Sequence, residues 1–303
     1  MSSEIIGVDV GNGYTKTANS EFVSAVKCYG ETKPAITEKC VKFEGKYYSV
    51  GGARSKTKTD QKDDNTALIL TLAGIGEELK IRNIRPSSVI LSEGLPLERC
   101  IEENRISDAS YYRKGQLIDF EYEDVPYEFM MRDVLVNPQC ISGAYRLLSG
   151  DALPPICVLV DVGSWTVDLL TIKDGKPFGS DARSLLDGVI TCMLRCNEEI
   201  RRRTGREVLE VQIQQIMLGE TGVLPERYES IIKETVRNYC KELCDTLIEN
   251  GYNVDTITCV FMGGGASVIK NFGKEFFPMA RFVTDIRANA RGYEEIARAR
   301  FER

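Results

Sequence analysis

The feature that most limits how this chain can fold is an internal echo. Ile5-Ile6-Gly7-Val8-Asp9-Val10-Gly11-Asn12-Gly13-Tyr14-Thr15-Lys16 reads as an apolar strand, an Asp-x-Gly turn and a returning strand. Cys157-Val158-Leu159-Val160-Asp161-Val162-Gly163-Ser164-Trp165-Thr166-Val167-Asp168-Leu169-Leu170 repeats that plan. Asp9 and Asp161 stand 152 residues apart in a chain of 303, so each half opens with the same strand, carboxylate and glycine turn. The echo predicts two related α/β domains, and the length suits two.

Composition removes several chemistries. The chain has no histidine, which excludes Ser-His and Cys-His nucleophiles and every His-ligated metal site. Lys+Arg 39 against Asp+Glu 45 gives a net charge of −6, and this acidic balance argues against direct binding to nucleic acid. Ten cysteines are scattered behind a start, MSSEIIGVDV, that has neither a basic nor an apolar leader region. A reducing, cytoplasmic setting fits that usage, and no apolar stretch is long enough to span a bilayer.

Between the echoes, Val41–Val50 alternates at period two around Glu44-Gly45, a hairpin pattern. Arg54–Asn65 reads as a polar loop, with Asn65 placed to cap a helix that carries Leu68, Leu72, Ile75 and Leu79 on one face. Val89–Ser92 is a short buried strand stopped at Gly94-Leu95-Pro96, and strands follow over 116–122 and 127–136. A helix is expected over Gln139–Leu148. In the second half, Lys173-Asp174-Gly175-Lys176 turns one strand into the next, helices run over 188–203 and 226–250, and Thr256–Met262 is an apolar strand. The last helix, over 291–302, has Tyr293, Ile296, Ala297 and Phe301 at helical spacing, a stripe that needs a host surface.

Glycine turns at the ends of buried strands let backbone N–H groups reach a ligand without a Cβ in the way, which suits the oxygens of a phosphate chain. Asp9 and Asp161, at the mouths of their strands, are placed to hold the water shell of Mg²⁺. Lys16 would bring a positive charge to the β-phosphate. One Asp-x-Gly alone is best read as a tight turn, and two at half-chain spacing favour the phosphate reading. Gly263-Gly264-Gly265-Ala266, after a buried strand, could let an adenine or ribose lie against backbone; alone it could equally be a flexible loop. No P-loop pattern occurs, and Lys16 stands where a dinucleotide fingerprint needs glycine. Cys192 with Cys196 and Cys240 with Cys244 share helix faces at i, i+4; they read as core packing, with a four-thiolate zinc site as the less favoured reading. Arg201-Arg202-Arg203 beside Glu198-Glu199 reads as a solvated helix end.

Asp9-x-Gly-x-Gly-x-x-Lys16, Asp161-x-Gly-x-x-Thr-x-Asp168 and Gly263-Gly264-Gly265-Ala266 resemble, in order and spacing, the phosphate-1, phosphate-2 and adenosine motifs of the actin, heat-shock chaperone and sugar kinase superfamily. Within it the chain is most similar to bacterial actin-like proteins of the ParM type. Gly94-Leu95-Pro96, Val136-Asn137-Pro138-Gln139 and Ala288-Asn289-Ala290-Arg291-Gly292-Tyr293 match that group's pattern, so the likeness spans nearly the whole chain.

The resemblance implies an α/β, two-lobed actin-like fold: duplicated mixed five-stranded sheets, flanked by helices, around an interdomain nucleotide cleft. Domain I would take residues 1–155, with a small inserted subdomain around 30–80, and would be completed by the final helix, 288–303. Domain II would take 156–287. ATP, or GTP, with Mg²⁺ would be held by Asp9, Gly11, Asn12, Gly13, Tyr14, Thr15 and Lys16, by Asp161, Gly163, Ser164 and Trp165, and by Gly263 to Ala266. Gln139 falls where the family orients the attacking water; its other reading is a helix-start hydrogen bond. Trp165 replaces a small residue of many relatives, and either packs under its turn or constricts the cleft. The implied function is a slow ATPase that polymerises head to tail and segregates plasmid DNA through an adaptor protein. The alternatives are a non-polymerising small-molecule kinase, for which Asp168 is the one carboxylate to weigh as a base, and a nucleotide-dependent switch.

Overall fold

The computed structural model describes residues 3–35, 39–52, 64–95, 113–148, 153–178 and 182–302. The expected loop over 54–65 falls largely outside them. The chain divides into two compact units, Met1–Arg146 with Arg287–Arg303, and Leu147–Ile286. The change of unit comes ahead of the expected 155/156 boundary: the Pro155 carbonyl already accepts the Asp174 N–H, inside the second unit.

The first unit is built on one mixed sheet. Its strands are β1 (Glu4–Val10), β2 (Tyr14–Thr17), β3 (Glu21–Val23), β4 (Val26–Gly30), β5 (Lys39–Phe43), β6 (Lys46–Val50), β7 (Ser88–Leu95), β8 (Leu117–Tyr122) and β9 (Val125–Pro138), and helix α1 (Asp64–Arg82) precedes β7. The order is β3-β2-β1-β7-β9-β8-β5-β6-β4. The first five strands are the expected mixed sheet, with β1 antiparallel to β2 and parallel to β7, and β7 parallel to β9. The sheet continues to nine because β9 is 14 residues long. From Met130 onward it pairs with β7, and up to Met130 it pairs with β8, which carries the sheet on into β5, β6 and β4. The strands expected in a small inserted subdomain are thus part of the same sheet. Tight turns set their register: Glu44-Gly45 and Glu123-Asp124 both have positive φ at both positions, the geometry of two-residue hairpins.

Helix α1 covers one face. Ile69, Leu72, Ala73, Ile75 and Leu79 are buried against Val8, Val41, Phe120, Tyr122 and Phe129. Asn65 lies inside this helix rather than at its cap. Strand β7 continues through Gly94 and Leu95 instead of stopping before them. The helix expected over Gln139–Leu148 is a single turn, Tyr145–Leu148. Cys140 at φ 69° takes the left-handed conformation, which interrupts a right-handed helix, so Gln139 to Ala144 form successive turns.

The second unit repeats the arrangement. Strands β10 (Ile156–Val162), β11 (Val167–Lys173), β12 (Lys176–Pro177), β14 (Thr258–Met262) and β15 (Arg281–Phe282) form the path β12-β11-β10-β14-β15, and β13 (Arg183–Leu185) adds to β11. Again the first strand is antiparallel to its hairpin mate and parallel to the strand on its other side. Helices α2 (Val189–Thr204), α3 (Glu210–Met217) and α4 (Glu226–Glu249) come before β14, and α5 (Ala266–Phe272) follows it. Cys192, Cys196, Cys240 and Cys244 all lie in the core with Ile200, Ile232, Val236 and Phe261. Among the described residues no group of three or more Cys, Asp or Glu is placed to hold a metal ion. Arg201, Arg202 and Arg203 pair with Glu207, Glu199 and Glu234 at the exposed end of α2. No helix among the described residues is long and apolar enough to cross a membrane.

Burial pushes the Cys240 and Cys259 thiols up to about 12. Their folded values lie above the ordinary one, so their contribution to stability is full below about pH 9 and is lost as pH rises toward 12. Stability against urea is expected to fall over that window by up to about 1.4 kcal/mol per pH unit and thiol. A double Cys240→Ala, Cys259→Ala variant with an unchanged alkaline slope would refute this.

The last helix, α6 (Ala288–Phe301), belongs to the first unit and packs on the sheet face opposite α1. Ala297 and Phe301 meet Ile5, Ile90 and Leu135, which accounts for the apolar stripe. Polar contacts fix its position: Glu294 accepts the Gly7 N–H at 3.1 Å, ion-pairs with Arg82, and Arg291 Nε donates to the Ala18 carbonyl. Three glycines make the approach possible. A Cβ on Gly7 would lie 2.1 Å from the Ala290 oxygen, on Gly94 1.8 Å from the Tyr293 hydroxyl, and on Gly292 1.8 Å from the Ser142 oxygen. Gly292→Ala must move backbone, and is expected to cost about 1–3 kcal/mol, read as a lower urea midpoint. An unchanged midpoint would contradict this packing.

Candidate functional site

The two hairpins share one hydrogen-bond frame. In the first, the Gly11 N–H donates to the Tyr14 carbonyl at 3.1 Å; in the second, the Gly163 N–H donates to the Thr166 carbonyl at 2.9 Å. Each closes a four-residue turn at the end of a seven-residue, largely buried strand. Among the described residues, the N–H groups of Asn12 and Gly13, and of Ser164 and Trp165, donate to no protein acceptor. Unspent amide donors at the same two positions of both turns are what a polyanion requires.

In the first unit Asp9 is buried, stands directly opposite Lys16 across the hairpin, and accepts a hydrogen bond at 3.2 Å from the Gln139 carboxamide. Cross-strand partners share a face, so Asp9, Lys16 and Gln139 gather on one side of the sheet. The Gln139 N–H donates to the Leu95 carbonyl at 2.9 Å, extending the β7–β9 ladder by one bond. Tyr14 supplies the carbonyl that closes the turn, and Thr15 is buried with its hydroxyl on Ser24 at 2.8 Å.

In the second unit Asp161 is buried and stands opposite Asp168, which receives the Thr166 hydroxyl at 3.4 Å. Trp165 is half-buried and packs against the core of the second unit. The start of α2 backs this turn: the Gly188, Val189 and Ile190 N–H groups donate to the Trp165, Gly163 and Ser164 carbonyls at 3.0, 3.0 and 2.9 Å. With its carbonyls so held, the turn is fixed with its amides outward. Gly188 was not singled out from sequence, although a Cβ there would lie 2.6 Å from Ser164 and Trp165 backbone atoms. A glycine just ahead of an amphipathic helix was the available signal.

The triple glycine joins the same corner. Gly263 has φ 79°, and a Cβ on it would fall 2.1 Å from Asp161 Oδ1; one on Gly265 would fall 2.3 Å from Val162 Cγ1. Nothing lies within 4 Å of the Cβ direction at Gly264. The outer two glycines therefore serve close packing, and Gly264 presents bare backbone. Ala266 is buried at the start of α5. The second unit thus brings together Asp161, Gly163 to Trp165 and Gly263 to Gly265. The donors suit a nucleotide: amides for phosphate oxygens, and hard carboxylate oxygens for the water shell of Mg²⁺.

Two family models match the chain, the N-terminal domain of actin-like proteins over residues 7–141 and the C-terminal domain of the archaeal, MreB-like actin homologues over 159–275. The chain has the actin-like fold. No functionally curated protein matches it. Its fold is that of Ta0583, an archaeal actin homologue solved with ADP, at 20% identity and a TM-score of 0.77 over 98% of this chain and 99% of that one. ParM of Bacillus thuringiensis, solved with AMPPNP, is similar at 13% identity and a TM-score of 0.73, with both chains fully covered. The Alp12 filament subunit is similar at 14% identity and a TM-score of 0.72, over 99% of this chain and 100% of that one. The glycine turn of the first unit falls inside the first matched region and that of the second unit inside the second.

Proposed function

We propose that this actin-like protein is a slow ATPase that binds one Mg²⁺-nucleotide with both turns and polymerises in its nucleoside triphosphate state. The observation that carries the reading is the repeated turn with unspent amides beside a buried aspartate, once in each unit. The Asn12, Gly13, Ser164 and Trp165 amides and Lys16 would hold phosphate oxygens. Asp9 and Asp161 would hold the metal's waters, and the metal would offset charge on the transferred phosphoryl group. Gly264 would lie against the nucleoside. Gln139 would orient the attacking water through its carboxamide; an amide is a poor general base, so hydrolysis should be slow and governed by geometry.

Filament-forming relatives of the same fold support self-association, and a head-to-tail contact that does not close gives a helical polymer. We assign the polymer to moving plasmid DNA in the cytoplasm through a DNA-binding adaptor, with no direct contact to nucleic acid or membrane. A small-molecule kinase is less well supported, since Asp168 is engaged within its own hairpin. High-speed pelleting at tens of micromolar, with ATP, ADP or no nucleotide, tests the proposal. Pelleting with ATP that declines as phosphate is released is expected; protein that stays in the supernatant under all three conditions would overturn it.

A further inference from the structure

We propose that Asn137 is the positioning residue for Gln139, an inference that rests on the water-orienting role proposed above for Gln139. Strand β9 ends at Pro138, and Gln139 is held beyond it by one ladder bond, its N–H on the Leu95 carbonyl. Immediately afterwards Cys140 turns into the left-handed region and the chain leaves the sheet. A terminal rung of this kind frays unless a side chain secures it. Asn137 is the side chain in place to do so. It is buried, pairs with Gly94 in the parallel ladder, and sends Nδ2 to Ser92 Oγ at 2.9 Å and to the Glu93 carbonyl at 3.2 Å. Nδ2 also lies 3.4 Å from the Leu135 carbonyl, so three acceptors share the two protons of the amide, with Ser92 and Glu93 the nearer.

The relay goes one step further. Ser92 is fully buried and donates its own hydroxyl to the Tyr293 carbonyl at 2.8 Å, so it can only accept from Asn137. Gly94, without a side chain, leaves the space that the Tyr293 ring occupies. Asn137 is thereby referenced to two rigid elements, the centre of β7 and helix α6. Residues two apart on a strand share a face, so the register fixed at Asn137 is the register from which Gln139 reaches Asp9. Asn137 touches neither Asp9 nor the turn amides through any bond it makes in the fold; it acts on the reaction only by holding Gln139.

The test is steady-state phosphate release with a parallel nucleotide titration on the full chain. The variants are Asn137→Ala, Asn137→Asp, Ser92→Ala, Gln139→Ala and the double Asn137→Ala, Gln139→Ala. Asn137→Ala is expected to lower kcat by about tenfold, with KM and nucleotide affinity unchanged, because misplacing an orienting group costs turnover rather than binding. Asn137→Asp, which keeps shape but loses both donors, should be at least as slow. The double variant should be no slower than Gln139→Ala alone. If Gln139→Ala turns over like the wild type, the role of Gln139 itself fails. If Gln139→Ala is slow but Asn137→Ala is not, or if Asn137→Ala slows the Gln139→Ala background by the same factor, the positioning role of Asn137 is wrong. Should Asn137→Ala not fold, Ser92→Ala decides: it removes the acceptor and keeps the Glu93 bond, and a kcat equal to wild type overturns the relay.

Discussion

Asp161→Ala is expected to abolish nucleotide-dependent phosphate release, and Gln139→Ala to slow it by about a hundredfold while sparing nucleotide binding. The difference follows from what each side chain touches. Asp161 is buried at the end of β10, and its carboxylate lies against the backbone of Gly263, so removing it takes away the oxygen proposed to hold the metal's water and opens the packing that shapes the triple-glycine corner. Gln139 contacts Asp9 through its amide and is otherwise held by its backbone, so truncation should leave the turns intact. Phosphate release and nucleotide titration on the same preparations separate the two. Equal turnover by wild type and Gln139→Ala would remove the assigned role, and a fully active Asp161→Ala would remove the metal assignment. If hydrolysis weakens the polymer, Gln139→Ala filaments should also outlast those of the wild type.

The second large effect distinguishes three adjacent glycines. Gly263→Ala places a Cβ in a left-handed backbone and on the Asp161 carboxylate, and Gly265→Ala drives one into Val162 and Val189. Each is expected to lose about 2 kcal/mol or more of stability, from strain and overpacking. Gly264→Ala meets open space, and its stability should stay within about 0.5 kcal/mol of wild type. Its nucleotide affinity should nevertheless fall, because the added methyl group stands where the ligand would meet bare backbone. Urea midpoints and nucleotide titration of the three variants check the pattern. A Gly264→Ala protein that folds and binds as well as wild type would show that this glycine faces no ligand.

Much of this was legible in the sequence because strand, carboxylate and glycine turn are local signals, repeated at half-chain spacing. Asp9 opposite Lys16 and Asp161 opposite Asp168 follow from hairpins whose turns are only a few residues long. The Glu44-Gly45 and Asp174-Gly175 turns were visible for the same reason. What escaped depends on distant partners. The Gln139 helix failed because Cys140 adopts a left-handed conformation that its residue type does not announce. The nine-stranded sheet arises from the length of β9, where one strand serves two neighbours along different stretches. The close approaches at Gly7, Gly94 and Gly292 exist only because α6 returns from the far end of the chain to press on them, and no neighbouring residue in the sequence announces them. The support of the second turn by Gly188 likewise depends on how α2 meets β10.

Trp165, the chain's single tryptophan, sits in the second turn and offers a direct test of the claim that one nucleotide engages both turns. Its emission should change on titration with Mg²⁺ and ATP or AMPPNP, with one nucleotide bound per chain. Lys16→Ala, in the first unit, should shift that titration to higher concentration by about tenfold without altering the emission of the nucleotide-free protein. A Trp165 response indifferent to Lys16, or a stoichiometry of two, would mean that the turns do not grip the same ligand and would contradict the account.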